Sequence, residues 1–216
     1  MDYKKIGELL LKVKCAYDII GAETVLEVEE PASIAEVEEL ENRLERKLPL
    51  QIKDFFLNYS RRCEFSAFLP DDFELPDELE EIFSATFLIS LEEFADVEEA
   101  RKGWVEDCFT DEEDEYDAVW YHKLGFMHVP NGDIIAFDIK EDESNPPVVY
   151  LSHDDGDGHG YILGKDFDTY FEQLLLVGAC GNEDWQMLPF CPDAQSGIVS
   201  DCENAKEYRK IIGLQI

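Results

Sequence analysis

The dipeptide Asn131-Gly132, set between the two apolar runs of "FMHVPNGDIIAFDI", commits the middle of this chain to an antiparallel hairpin. Asn and Gly tolerate the positive φ angles of a tight reversal, and the flanking residues suit a pleated surface. A lone hairpin cannot bury its faces, so further strands or covering helices are required. The sequence supplies both. "SATFLIS", from Ser84 to Ser90, and "PPVVYLSH", residues 146–153, read as strands. Ile6, Leu9, Leu10, Val13, Tyr17 and Ile20 recur at helical spacing. "PASIAEVEELENRLERKLP" carries a capping box, Ser33 with Glu36, ahead of Ile34, Val37, Leu40 and Leu44 on one face. Pro49 opens a second helix whose buried side is Ile52, Phe55, Phe56 and Tyr59. Ser90 and Glu93 form another box before Phe94 and Val97, and Phe167, Tyr170, Phe171, Leu174 and Leu175 mark a later helix.

Charge decides which partners suit such a surface. The chain has 51 acidic and 18 basic residues, a net charge of −33. Phosphate backbones and anionic membranes are repelled, because binding to either relies on Lys and Arg. A cationic protein partner is favoured, with electrostatically steered association. Acidity that only keeps the protein soluble is the alternative reading. Glu8, Lys12 and Lys14 interrupt the first apolar stretch, so it reads as a helix and not as a signal peptide, and no segment approaches a membrane span. Six cysteines in this context read as reduced thiols of a cytoplasmic protein. Cys180, Cys191 and Cys202 lack the close pairing of structural zinc ligands.

"LSHDDGDGHGYILGKDFDTYF", residues 151–171, has the look of an ion or phosphate loop. Asp154, Asp155 and Asp157 are hard oxygen ligands, and Gly156, Gly158 and Gly160 permit tight turns. The register is wrong for calcium, since the twelfth residue from Asp154 is Lys165 where a bidentate glutamate is needed, and "GKD" lacks the hydroxyl of a phosphate loop. The segment therefore reads as a connection between a sheet and a covering helix, with no metal and no cofactor. His153 and His159 bracket the aspartates, but no nucleophile elbow or Cys-His signature accompanies them, so no catalytic residue and no enzyme is expected.

The order of these motifs resembles the SUKH superfamily, also called the Smi/Knr family. The resemblance spans roughly Pro31 to Val177 and rests on the capped helix, the "LP" break at Leu48-Pro49, "LQIKDFFLNYS", "VPNGDIIAFDI", "PPVVYLSHDD" and "DFDTYFEQLL". It implies an α+β domain with a central antiparallel sheet flanked by helices and no recognised catalytic residues. It also implies either a bacterial immunity protein that neutralises a cognate toxin, possibly a basic nuclease, or a regulatory interaction module without a toxin, like the fungal cell-wall regulators. Residues 1–180 are expected to form one such domain with an acidic insertion at about 71–117, and 181–216 a C-terminal extension packed on it.

Between Asp71 and Asp117 twenty acidic side chains face only Arg101 and Lys102. This stretch is either a solvated loop or the face that meets a basic partner. On the second reading Asp111, Glu112, Glu113, Asp114 and Glu115 are the candidate contacts, with Trp120 and Tyr121 as aromatic anchors, although aromatics near a hairpin more often fill the core.

Overall fold

A computed structural model describes residues 1–216. It is the expected α+β fold of antiparallel sheet flanked by helices, with the strands divided between two sheets. The first sheet runs in the order β1 (Glu23–Val28), β2 (Arg62–Phe68), β3 (Ser84–Ser90), and the second β4 (Lys123–His128), β5 (Ile134–Asp138), β6 (Val148–Leu151), β7 (Ile162–Gly164). The predicted strand at Ser84–Ser90 and the hairpin about Asn131-Gly132 are present. The reversal spans 129–133, with Gly132 at φ 104°.

Local signals place the helices. Helix α1 (Tyr3–Ile19) is capped by Asp2, and α2 (Ile34–Arg43) has the full Ser33–Glu36 capping box. Helix α3 (Leu50–Asn58) begins directly after Pro49, which serves as its cap. The amide of Glu93 donates to Ser90 Oγ at 3.4 Å, one residue before the regular part of α4 (Phe94–Asp107). Helix α5 (Phe167–Leu176) is capped by Asp166, whose carboxylate accepts the Thr169 amide at 2.7 Å.

Helix α5 joins the two sheets. Its Phe171 meets Phe87 of β3 edge-on at 5.4 Å, and its Phe167 meets Phe126 of β4 at 6.1 Å and Phe137 of β5 at 6.2 Å. Phe55 of α3 packs on both α5 rings. On its other face the second sheet carries α4 and the segment that follows, where Val97, Phe109 and Trp120 lie over Ile134, Ala136, Val149 and Leu151. Covered on both sides, β6 is buried throughout and β5 up to its last residue, which is why their apolar runs do not alternate. The first sheet is covered on one face only. There Phe65 meets Tyr17 of α1 at 5.8 Å, while Glu23, Val25, Glu27 and Phe68 on the opposite face are exposed.

The stretch 71–117 is not a free insertion. It contains β3, paired with β2 in seven-residue register, and α4, whose Glu98 binds the β4 backbone. The "HDDGDGHG" segment leads into β7 and only then into α5, so it links two neighbouring strands and not a strand to a helix. Beyond residue 180 the chain packs into the same core. Helix α6 (Glu203–Ile212) buries Tyr208, whose hydroxyl lies 2.7 Å from that of Tyr17. Tyr17 also donates to the Gly178 carbonyl at 3.0 Å. No helix is long and apolar enough to cross a membrane.

Phe55 is fully buried among Tyr3, Phe56, Tyr59, Phe167 and Phe171. Phe55→Ala should cost about 3 to 5 kcal/mol in urea unfolding, because the rings around it cannot all close the cavity. A loss under about 1 kcal/mol would show that α3 is not seated on α5 as described.

Candidate functional site

The acidic stretch after α4 is ordered by its own carboxylates. Asp111 Oδ1 accepts the Glu113 amide at 3.0 Å, Asp114 Oδ1 accepts those of Tyr116 and Asp117 at 2.9 and 3.1 Å, and Asp117 Oδ2 accepts that of Asp111 at 3.1 Å. Each turn uses one carboxylate oxygen and leaves others to solvent, so Asp111, Glu112, Glu113, Asp114 and Glu115 all remain exposed. A buried pair fixes the base of the segment. Arg101 donates to both oxygens of Glu98 at 2.8 and 2.9 Å and to the Trp120 carbonyl at 2.8 Å, while Glu98 also accepts the Gly125 amide at 2.8 Å.

Trp120 does not join the contact surface. It is fully buried and stacks on Phe109 at 4.7 Å, so it serves the second sheet's core. The aromatic side chain that reaches the surface in this segment is the half-buried Tyr116, which sequence reasoning passed over. Tyr121 is half-buried and donates to the Phe109 carbonyl at 3.1 Å.

Tyr116 joins two acidic segments some forty residues apart. Its hydroxyl donates to the Ser152 carbonyl at 2.6 Å and accepts the Asp155 amide at 3.1 Å. Its ring stacks on His159 with centroids 3.8 Å apart. The result is a groove of about 480 Å³ lined by Glu115, Tyr116, Val119, Asp155, Gly156 and His159. Two carboxylates line it, Glu115 and Asp155, and each belongs to a run of exposed acidic residues, 111–115 in one case and Asp154, Asp155 and Asp157 in the other.

Neither histidine offers a free catalytic base in this groove. His159 Nδ1 accepts the Ser152 amide at 3.0 Å, which leaves Nε2 as the donor to the Tyr116 carbonyl at 3.0 Å. Burial pushes its pKa down, holding it neutral. His153 Nδ1 lies 2.6 Å from Asp133 Oδ1, and its ring packs on Trp104. Asp133, His153 and Asp154 bring ligand-type atoms within 4.8 Å of one another. Both oxygens of Asp133 are already engaged, Oδ1 by the amide and ring of His153 and Oδ2 by Tyr150 and Asn131, so a cation at either oxygen would compete with two hydrogen bonds.

What fills the glycine-rich loop is a carboxylate of the same chain. Gly158 donates its amide to Asp184 Oδ2 at 2.9 Å, and the Asp184 amide in turn donates to Tyr150 Oη at 3.1 Å. A Cβ on Gly156 would stand 2.6 Å from Asp184 Oδ2, and one on Gly158 2.5 Å from Asp184 Cβ. These glycines are space for Asp184. No local signal reveals this, because the partner lies 26 residues away. Glu183 beside it is buried with Oε2 unpartnered; burial first, then Asp133 and Asp184, push its pKa up.

A family model described as the SMI1 / KNR4 family (SUKH-1) matches residues 31–173. No curated protein matches the chain.

Two outcomes test this arrangement. Gly158→Ala should destabilise by about 1 to 3 kcal/mol through overpacking, and Asp184→Gly in the same chain should recover part of that loss. Simple additivity in thermal unfolding would show that Asp184 is not what fills the loop. For Glu183 the folded pKa lies above the unfolded one, so the folded state binds the extra proton and stability falls as pH rises through the folded value. Glu183→Gln should therefore stabilise at neutral pH, with the gain fading toward about pH 4.5. An equal effect at both ends of that range counts against the assignment.

Proposed function

The chain belongs to the SMI1 / KNR4 family (SUKH-1), and from that premise we propose that it is a non-enzymatic binding protein whose acidic groove docks a basic protein, as an immunity protein docks the toxin it neutralises. The observation that carries this reading is the convergence, through Tyr116, of Glu115 and Asp155 in one groove, each within a run of exposed carboxylates, 111–115 and Asp154, Asp155 and Asp157. Carboxylates in these exposed turns need not be desolvated to act at a distance. They raise the rate at which a cationic partner arrives, and the half-buried Tyr116 and His159 rings give it an apolar floor to pack on. A toxin that binds nucleic acid presents the complementary basic cleft, and a dense row of carboxylates occupies it as phosphates would.

The test replaces charge while keeping the acceptors of the turns. Asp111→Asn, Glu112→Gln, Glu113→Gln, Asp114→Asn and Glu115→Gln together should slow association with the captured partner and flatten its salt dependence, with folding unchanged. Recovery of a basic polypeptide whose toxicity is relieved by co-expression supports immunity. Unchanged rates at every ionic strength would place the contact elsewhere.

A further inference from the structure

The first sheet ends in an edge that nothing covers. Just beyond β1 the Glu29 amide donates to the Arg62 carbonyl at 2.9 Å, and on the far side of β2 the Leu91 amide donates to that of Arg61 at 2.9 Å. Bonded residues alternate along an antiparallel ladder. In the observed register Glu23, Val25 and Glu27 therefore turn their backbone groups toward β2, and Thr24, Leu26 and Val28 turn theirs outward. The register runs unbroken over six pairs, and the strand has no proline, no lysine and no bulge, the usual means of blunting an edge.

The side chains choose the occupant. Glu23, Val25 and Glu27 alternate on the uncovered face, all exposed, with Val25 at 51%. A second copy of this chain would bring its own Glu23 and Glu27 against these and add a body of charge −33 to another. Arg62 of β2 lies 3.8 Å from Glu27 but is also paired with Glu64 and Glu93, so an incoming strand with cations at those positions still meets an acidic face. We propose that β1 accepts an extended cationic segment of another protein as an added strand. Lys or Arg at positions i and i+4 of that segment stand beside Glu23 and Glu27, and an apolar residue at i+2 lies against Val25. Main-chain hydrogen bonds to Thr24, Leu26 and Val28 hold it, and the alternating side chains select it. This edge is separate from the acidic groove.

The experiment uses the full chain with residues 111–115 and Asp154, Asp155 and Asp157 neutralised, so that adsorption at the groove does not enter and either surface can fail alone. The probe is a fluorescent, N-acetylated and C-amidated peptide Thr-Lys-Thr-Val-Thr-Lys-Thr. Its control is the same peptide N-methylated at alternate residues, which blocks one hydrogen-bonding edge. Saturable binding should slow amide exchange at Thr24, Leu26 and Val28 by about tenfold or more, while Glu23, Val25 and Glu27, already bonded to β2, change little. Leu26→Pro removes an outward amide and should abolish binding. Should that variant unfold, Glu23→Lys with Glu27→Lys retains the ladder and should weaken binding instead. Absence of binding, binding without protection of the three outward amides, or equal binding of the methylated control overturns the proposal. So does protection that grows with protein concentration in the absence of peptide, which would make a second copy the occupant.

Discussion

The buried carboxylate of Asp133 organises the far end of the second sheet. It sits at the end of the hairpin turn and gathers partners from three places: Asn131 within the turn, Tyr150 on β6, and the backbone amide and ring Nδ1 of His153 at the mouth of the aspartate-rich loop. A charge with almost no exposure is tolerable only when its lone pairs are filled, and here they are. Each donor extends the order outward. Tyr150 passes it to Asp184 and so to the C-terminal segment, and His153 passes it to Trp104 on α4. The acidic groove lies above these contacts, so its shape depends on a group that the groove itself does not expose.

Much of the fold was legible because its signals are local. The Ser33–Glu36 box, the break at Pro49, the strand at Ser84–Ser90 and the reversal at Asn131-Gly132 are each written within a few residues, and each occupies its expected place. The division into two sheets was not legible. It depends on which strands pair across the junction of β3 and β4, a long-range choice that periodicity does not encode.

The site was legible in part. The exposed carboxylates at 111–115 follow from their density, since so many like charges resist burial together. Trp120 misled because its acidic neighbours suggested an outward-facing segment, whereas the chain turns inward between Tyr116 and Trp120 to cover β5 and β6. The glycines at 156 and 158 were legible only as turn residues of a connection, and the structure fills the space they leave with an aspartate from elsewhere in the chain.

That filling has a consequence for how the protein is made. During synthesis the loop at 156–158 leaves the ribosome before the carboxylate that completes it, and α1 waits still longer for Tyr208, 191 residues after Tyr17. The nascent chain thus carries an unfinished sheet end until Asp184 emerges and an unsealed first helix until Tyr208 does. Contacts of such wide sequence separation are slow to close, and the heavy negative charge, by keeping neighbouring nascent chains apart, suits a protein that must remain incomplete while it waits.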